Sequence, residues 1–184
     1  MSLVAGIADA ARGPVWSTPV IVSARLRSFH VPVAPASAAW PQANLAILIP
    51  FLVSTPVTFA EIFFTAGTLP GTTTYDLGIY RDDFTRIISL GSTAAVSTTD
   101  AILPVGGGAL STPTTLSRGR YYLAMSSAAI TLTCRAAVNG NGMVRALGMQ
   151  QMAVAHPLPA TITPATMGFN YIPTVGLTTV TNIL

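Results

Sequence analysis

The chain contains no lysine, and all nine of its basic residues are arginine. The absence of lysine excludes a Walker-type phosphate loop, a Schiff-base enzyme and a lysine general base, because each requires a primary amine. The arginines are scattered, without the basic run or the interleaved aromatic and basic residues of nucleic-acid-binding modules. The sequence therefore predicts no nucleic-acid partner.

Charged residues of either sign are scarce. They make up 8% of the 184 residues, against roughly 25% in a typical soluble domain, whereas hydrophobic residues make up 51%. Lipid, a neutral polar surface or neighbouring subunits must cover the surface that charges usually occupy. Abundant Ser and Thr supply part of a neutral surface, and we expect burial between subunits to supply the rest.

Cysteine occurs once, at Cys134, which excludes an intrachain disulfide and argues against a zinc site. Cys134 alternates with Ile130 and Leu132, in a strand predicted over residues 130–138. This spacing favours a small buried core residue over a reactive thiol.

A transmembrane helix is also excluded. Residues 44–64 form the longest apolar stretch, but Pro50 and Pro56 would break a helix and Glu61 would lie in lipid. The stretch instead predicts two successive strands joined near residues 54–56. Residues 1–12 lack the basic segment and apolar run of a secretory signal peptide.

What the sequence does contain favours β-structure. Thr, Val and Ile prefer strands, and the 14 prolines and 15 glycines recur as turn formers, so the fold class predicted is all-β. Residues 1–41 are predicted as an extended N-terminal arm with a short strand at residues 20–26. Residues 42–142 are predicted as the core domain, and residues 143–184 as a C-terminal extension that completes the core or contacts neighbours.

Residues 74–92 are predicted as a β-hairpin that turns at residues 81–84, because apolar and β-branched runs lie on either side. Residues 91–116 are predicted as a long polar connection centred on the glycines at 106–108. Such a loop would be the first choice for a recognition site. Residues 139–142 (Asn-Gly-Asn-Gly) predict a turn. The apolar residues of 143–154 follow neither the spacing of a helix nor the alternation of a strand, so the structure of this segment is left open.

A further strand is predicted from residue 116 to residue 126. Tyr121, Leu123 and Met125 alternate with Tyr122 and Ala124, so the two sets should occupy opposite faces.

Five residues carry candidate site chemistry. Glu61 would point inward as a catalytic carboxylate, unless a bulge resets the register or an arginine pairs with it. Asp82 and Asp83 could ligate calcium but lack its ladder of oxygen ligands, so turn formation is favoured. His30 and His156 could bind a metal, although structural histidines are commoner. We predict no catalytic, cofactor-binding or metal-binding residues.

Five aromatic residues are candidate ligand contacts. Trp16 and Trp40 could stack on a ligand, but each stands alone among prolines and small residues, which favours a role as an anchor. Tyr75, Tyr80 and Phe84 are the aromatic residues that a carbohydrate site near residues 91–116 would use.

Several segments together resemble virion structural proteins of tailed bacteriophages. The likeness lies in residues 56–59 (PVTF), 76–80 (DLGIY), 86–92 (RIISLGS), 116–124 (LSRGRYYLA) and 169–173 (FNYIP). It covers residues 44–134 and the tail, and it departs from the family in the hairpin turn, which usually contains glycine. The resemblance implies a jelly-roll-like antiparallel β-sandwich with extended arms.

The resemblance also implies a function. We expect a non-enzymatic structural protein located in the virion, as a capsid decoration protein, head fibre or tail component. Composition and arms predict assembly as a homo-oligomer, expected to be a homotrimer, with other virion proteins as partners and no membrane insertion. The alternative is a receptor-binding or carbohydrate-binding adhesin module of a phage tail that contacts a host-surface glycan. A hydrolase would need a nucleophile, base and acid, and no Gly-x-Ser-x-Gly or His-Glu-x-x-His motif is present.

Overall fold

A computed structural model describes residues 36–69, 71–99, 102–138, 141–153 and 155–179 of the chain. It contains fifteen strands and one short helix, α1, within those ranges. The strands are β1 (Ala36–Ala39), β2 (Ala46–Val53), β3 (Val57–Thr65), β4 (Thr68–Leu69), β5 (Thr74–Arg81), β6 (Arg86–Ser89), β7 (Thr93–Ala94), β8 (Thr98–Thr99), β9 (Ile102–Leu116), β10 (Gly119–Ser127), β11 (Thr133–Ala137), β12 (Gln150–Met152), β13 (Ala165–Thr166), β14 (Ile172–Pro173) and β15 (Val175–Thr179), and the helix is Asn141–Ala146.

The strands pair antiparallel in four sheets. The largest has the order β13-β12-β2-β10-β5-β6, with β7 also paired to β5. A second sheet has the order β15-β3-β9, a third has the order β1-β11-β14, and β4 pairs with β8. The predicted all-β class with an antiparallel, sandwich-like arrangement is therefore confirmed.

Strand β10 lies at the centre of the largest sheet. Leu123 is paired with Ile49 of β2 on one side and with Ile79 of β5 on the other, and all three are fully buried on the inner face. Successive side chains of a strand point to opposite faces, so Tyr122 and Ala124 lie on the outer face. The predicted alternation in this strand is confirmed.

The predicted hairpin is also confirmed. β5 and β6 pair antiparallel, with a shift of register between Ile79 and Tyr80. In the turn, Asp83 Oδ1 accepts a hydrogen bond of 3.0 Å from the backbone N–H of Thr85, and Phe84 has a φ of 63°. Glycine adopts such a left-handed conformation at the least cost, so Phe84 is an uncommon residue at this position of the turn.

The two strands predicted over residues 44–64 are present as β2 and β3, but they lie in different sheets. The connection between them therefore carries the chain from one layer to the other. Aromatic contacts join the layers, because the rings of Phe64 and Tyr75 have centroids 4.8 Å apart and those of Phe51 and Phe59 are 6.4 Å apart. The core lies between these faces.

The prediction of a long polar loop over residues 91–116 is wrong. The segment contains β7, β8 and the fifteen-residue strand β9, which pairs with β3 along its length. Threonine suits a strand as well as a loop, and pairing with β3 supplies the backbone hydrogen bonds that the local sequence does not reveal.

Irregular pairing with β3 explains why the sequence of β9 does not show the alternation of a regular strand. Phe59 and Glu61 are two positions apart in β3, whereas their partners Thr114 and Ala109 are five positions apart in β9. A second shift of register lies further along the same pair of strands. The extra residues in β9 interrupt the period-two alternation on which strand prediction depends.

Both predicted arm regions contribute strands to the described structure. Residues 1–35, which include Trp16, His30 and the strand predicted at residues 20–26, lie outside the described residues. Residues 36–39 form β1, which pairs with β11. In the C-terminal region, β12 pairs with β2, β14 with β11 and β15 with β3.

The structure also decides two smaller points. Residues 143–154, which the sequence left open, contain the end of α1 and strand β12. The strand predicted over residues 130–138 is shorter, because β11 begins at Thr133, and Ile130 is exposed in the connection before it.

The contact between Phe64 and Tyr75 predicts a large effect of truncation. Phe64→Ala should lower the free energy of unfolding by about 3–5 kcal/mol, because it removes a fully buried ring that joins two sheets. Leu52→Ala, at a side chain that is 48% exposed, should change it by no more than about 0.5 kcal/mol. Urea denaturation of the dilute protein would measure both, and equal losses would contradict the proposed contact.

Candidate functional site

A segment that we call the strap, residues 155–162, crosses the outer face of the largest sheet. Ala155, Leu158 and Ile162 of the strap are buried in a cluster with Tyr80 and Tyr122 of the sheet. The strap approaches the sheet closely at Gly78, where an added Cβ would lie 2.7 Å from the carbonyl oxygen of Ile88 and 3.0 Å from Leu158 Cδ1. Any larger residue at this position would displace the strap or the neighbouring strand.

Hydrogen bonds hold the strap at both ends and along its length. The N–H of Ala155 donates to the carbonyl of Asn44 at 2.7 Å, and the N–H of Ile162 donates to the carbonyl of Phe84 at 3.1 Å. Between them, the Tyr80 hydroxyl donates to the carbonyl of Pro159 at 2.6 Å. Arg86 contributes twice, because its backbone N–H donates to Ala160 at 2.8 Å and its guanidinium donates to the carbonyl of Leu158.

His156 of the strap lies among three hydroxyl groups from separate elements. Its Nδ1 is 3.0 Å from Ser126 Oγ of β10, and its Nε2 is 3.0 Å from Thr74 Oγ1 of β5. Ser92 Oγ, which is exposed, lies 3.4 Å from the same Nε2. A hydroxyl can donate or accept, so both ring nitrogens are satisfied in either neutral tautomer. These contacts are those of a structural histidine, the role that the sequence favoured for His156.

Asp76 lies beneath the strap and has no exposed surface. Its position in β5 pairs with Ser126 of β10, and its Oδ2 accepts a hydrogen bond of 3.0 Å from the N–H of Leu158. Burial raises the pKa of Asp76, and the Leu158 hydrogen bond, nearby Ser89 and the positive charges of His156 and Arg86 oppose that rise. Oδ1 has no partner in hydrogen-bonding geometry within the described residues.

The combination of Ser126, His156 and Asp76 invites comparison with a catalytic triad. In a triad the carboxylate binds the imidazole Nδ1 and the nucleophile lies at Nε2. Here Nδ1 faces the hydroxyl of Ser126, which is fully buried, and the carboxylate binds a backbone N–H of the strap. These contacts suit the fixing of the strap to the sheet better than attack on a substrate.

Sequence reasoning singled out His156 but missed its partners. Asp76, Thr74 and Ser126 belong to strands in which they read as ordinary polar positions. The parity of Asp76 with Gly78 and Tyr80 was the available signal, because it places a carboxylate on the same face as a large aromatic residue. Nothing in the sequence indicated that residues 155–162 would cover that face.

Glu61 does not point into the core. Ala60 has no partner in the register of β3 with β9 or with β15, since the pairing passes directly from Phe59 to Glu61. The bulge changes which positions face inward, so Phe59 and then Ile62 enter the core while Glu61 is only half-buried. Of the alternatives raised by the sequence, a reset of the register is therefore observed.

Asp82 and Asp83 lie in the turn between β5 and β6, as predicted. Asp83 accepts hydrogen bonds from both the N–H and the hydroxyl of Thr85, which lower the pKa of its carboxyl group. Asp82 Oδ1 lies 3.5 Å from Arg120 Nε in an exposed ion pair. Across the ranges of residues described, no three His, Cys, Asp or Glu residues are grouped so that they could hold a metal ion.

Cys134 and Trp40 are core residues. Cys134 is fully buried, which confirms the prediction of a small buried core residue, and burial raises the pKa of its thiol to about 12. The Trp40 indole N–H donates to the carbonyl of Leu45 at 3.1 Å, and its ring packs edge-on against Tyr171 with centroids 5.6 Å apart. Trp40 is thus an anchor, as the sequence favoured.

The aromatic residues suggested for a carbohydrate site are largely unavailable to a ligand. Tyr75 and Tyr80 are fully buried, and burial raises the pKa of Tyr75 to about 12. Phe84 is half-buried, and its ring lies 5.1 Å from that of Tyr122. The loop on which this site depended is a strand, so the predicted group of exposed aromatics is not formed by these three residues.

Large apolar side chains are instead exposed at four separate positions among the described residues: Leu52, Val96, Ile130 and Val138. Val96 and Ile130 belong to connections that meet at the same end of the sandwich. The N–H of Ala95 donates to the carbonyl of Thr73, and the N–H of Ala128 donates to the carbonyl of Thr74. This end therefore presents apolar surface from two connections. Within the described residues, the structure contains no helix of the length and apolarity needed to cross a membrane.

His156 should make stability depend on pH. Burial lowers the pKa of His156 below 6.5, and the charge of Asp76 partly opposes this. The unfolded chain therefore takes up the proton at higher pH than the folded chain, so stability should fall as pH falls through 6.5. We expect His156→Asn to flatten the dependence of the urea midpoint between pH 7.5 and about 5.5. Ser92→Ala, which keeps the imidazole, should retain the wild-type slope, and the same slope in all three proteins would contradict the assignment.

Asp76 should matter as a hydrogen-bond acceptor more than as a charge. Asp76→Ala leaves the Leu158 N–H unsatisfied under the strap and should cost about 1–3 kcal/mol of unfolding free energy. Asp76→Asn keeps an acceptor oxygen and removes a desolvated charge, so its loss should be clearly smaller. Chemical denaturation at pH 7 distinguishes the two, and a larger loss for Asn than for Ala would refute this role.

Comparison of the chain with protein-family models, curated proteins and solved structures found no match. In the absence of a relative, inferences about function depend on the structure itself. The relevant features are the strap, its buried polar contacts and the exposed apolar side chains.

Proposed function

We propose that this chain is a non-enzymatic structural protein of a tailed-bacteriophage virion, where it assembles as a homo-oligomer. The role would be that of a capsid decoration protein, head fibre or tail component, and three copies around a threefold axis are the expected arrangement. The observation that carries the proposal is the low charge of the chain together with its exposed apolar side chains. Charged residues make up 8% of the sequence, and large apolar side chains are exposed in β2 and in three connections.

A surface of this kind favours burial between subunits. Interface cores are depleted in charged residues, and obligate oligomers have more apolar interfaces than transient complexes. Val96 and Ile130 lie in adjacent connections at one end of the sandwich, where they could contact a neighbouring copy. Each of these residues alone would be ordinary on a monomer, so the low charge of the whole chain is the stronger support.

The polar groups that could support catalysis have structural partners. His156 contacts three hydroxyls, Asp76 binds the Leu158 N–H, and Cys134 is fully buried with a raised pKa. These contacts favour a structural role over a hydrolytic one. The burial of Tyr75 and Tyr80 likewise supports an assembly subunit over the carbohydrate-binding alternative, because a glycan site would need such rings at the surface.

Light scattering tests the proposal. The tag-free chain should have the mass of a trimer or a larger species, and deletion of residues 2–35 should reduce that mass or cause aggregation. The deletion stops at residue 35 because β1 pairs with β11 and the Trp40 ring is buried in the core. Circular dichroism should show retained β-structure in the shortened chain. A folded monomer for both chains would contradict assembly.

A further inference from the structure

One end of the largest sheet, where β5 ends and β10 begins, carries exposed arginines. Arg81 is the last residue of β5 and pairs with Tyr121 of β10. Arg120 precedes Tyr121 in β10, and Arg118 lies in the turn that leads into this strand. All three arginines are exposed. Arginines that are scattered along the sequence are therefore brought to the same end of the sheet by the pairing of β5 with β10.

The helix α1 adds a fourth arginine to this end. Arg145 lies in the last turn of α1 and is exposed. The N–H of Gly148 donates to the carbonyl of Arg145 at 2.9 Å, and a Cβ added at Gly148 would lie 3.7 Å from Arg120 Nη2. The C-terminal end of α1 thus lies beside the Arg120 guanidinium. We call the surface that carries Arg81, Arg118, Arg120 and Arg145 the basic end.

Two aspartates neutralise only part of this charge. Asp82 Oδ1 lies 3.5 Å from Arg120 Nε, and Asp83 accepts hydrogen bonds from the N–H and the hydroxyl of Thr85. Both aspartates are exposed in the turn between β5 and β6. With four arginines against two aspartates, the basic end is positively charged.

The guanidinium of Arg120 is placed to receive a carboxylate. Its Cζ lies 5.1 Å from the centroid of the Tyr122 ring, and its Nε is the nitrogen that faces Asp82. Within the described residues, its two terminal nitrogens have no hydrogen-bond partner. A guanidinium that is held by a ring and by an ion pair at Nε offers its remaining N–H groups as a fork, the geometry that matches a carboxylate.

An exposed apolar side chain lies next to this fork. Leu52 of β2 is paired directly with Arg120, so their side chains are neighbours on the outer face of the sheet. Leu52 is 48% exposed. Pro50 lies on the same face of β2, and its Cγ is 3.7 Å from the position of a Cβ added at Gly148. The basic end therefore combines positive charge with apolar contact area.

We propose that the basic end binds an acidic segment of another protein, in which carboxylates lie next to an apolar side chain. The inference rests on the proposed function for the identity of that partner as a second virion protein. Charge complementarity would orient the segment, and Leu52 would supply an apolar contact. A nucleic-acid strand fits less well, because Asp82 and Asp83 interrupt the positive surface and Tyr122 is too buried to stack on a base.

Binding of defined probes to the full chain tests this proposal. Fluorescence anisotropy would measure binding of a labelled peptide of repeated Glu-Leu-Gly units, of the same peptide with Gln in place of Glu, and of an oligothymidylate with the same number of charges. We expect the Glu peptide to bind most tightly and its binding to weaken as salt is added. The Gln peptide should show little binding.

Point variants locate the binding surface. Arg120→Gln and Arg145→Gln should each weaken binding of the Glu peptide by about fivefold, and Arg120→Lys should restore only part of the loss because it keeps the charge without the fork. Leu52→Ser should also weaken binding. Ile130→Ser is the matched control, because it removes another exposed apolar side chain at the opposite end of β10 and should have no effect. Urea midpoints would establish that each variant is folded.

The outcomes separate this inference from the proposed function. Absence of binding by the Glu peptide, equal binding by the Gln peptide, or equal effects of Leu52→Ser and Ile130→Ser would overturn it. Tighter binding of the oligothymidylate would overturn the choice of a protein partner. An oligomer by light scattering that does not bind the Glu peptide leaves assembly intact, whereas a monomer that binds it contradicts assembly and retains the basic end as a binding surface.

Discussion

The two-sided burial of β10 is the constraint on which the described structure depends. Its hydrogen bonds to β2 and β5 place Leu123 in the core between the sheets and Tyr122 on the opposite face. Exposure of either face to water would be unfavourable, because both faces carry large apolar groups. The second sheet covers one face, and the strap covers the other.

The strap brings buried polar groups with it. A segment without regular secondary structure must find partners for its backbone, and those partners come from the Asp76 carboxylate, the Tyr80 hydroxyl and the β6 backbone. A carboxylate buried in this way has a raised pKa, and the nearby His156 has a lowered pKa. In both cases the cause is desolvation, which favours the neutral form of each group. The cluster contains the residue types of a catalytic triad, but its contacts hold the strap against the sheet.

The proposed assembly is consistent with the composition of the chain. The few charged residues with described contacts are largely engaged within the subunit: Asp83 in its turn, Asp82 with Arg120, and Arg86 with the strap. The described surface also exposes apolar side chains such as Ile130 and Val138. A surface of this kind is consistent with the proposed burial between subunits.

The sequence by itself determined the all-β class, the hairpin of β5 and β6, the alternation in β10, and the burial of Cys134 and Trp40. These features depend on local periodicity or on the character of single residues, so they can be read along the chain. The turn at Asp83 was predicted for the same reason, because its hydrogen bonds reach only to Thr85.

Only the tertiary structure decided the remaining features. β9 is a strand because it forms backbone hydrogen bonds with β3, although extra residues interrupt its period-two alternation. The bulge at Ala60 turns Glu61 away from the core. The site around His156 joins Thr74, Ser92 and Ser126 from distant parts of the chain, and Asp76 meets Leu158 across 82 positions. Contacts of this kind depend on which strands lie side by side, and the periodic pattern of a strand does not reveal which distant strand it pairs with.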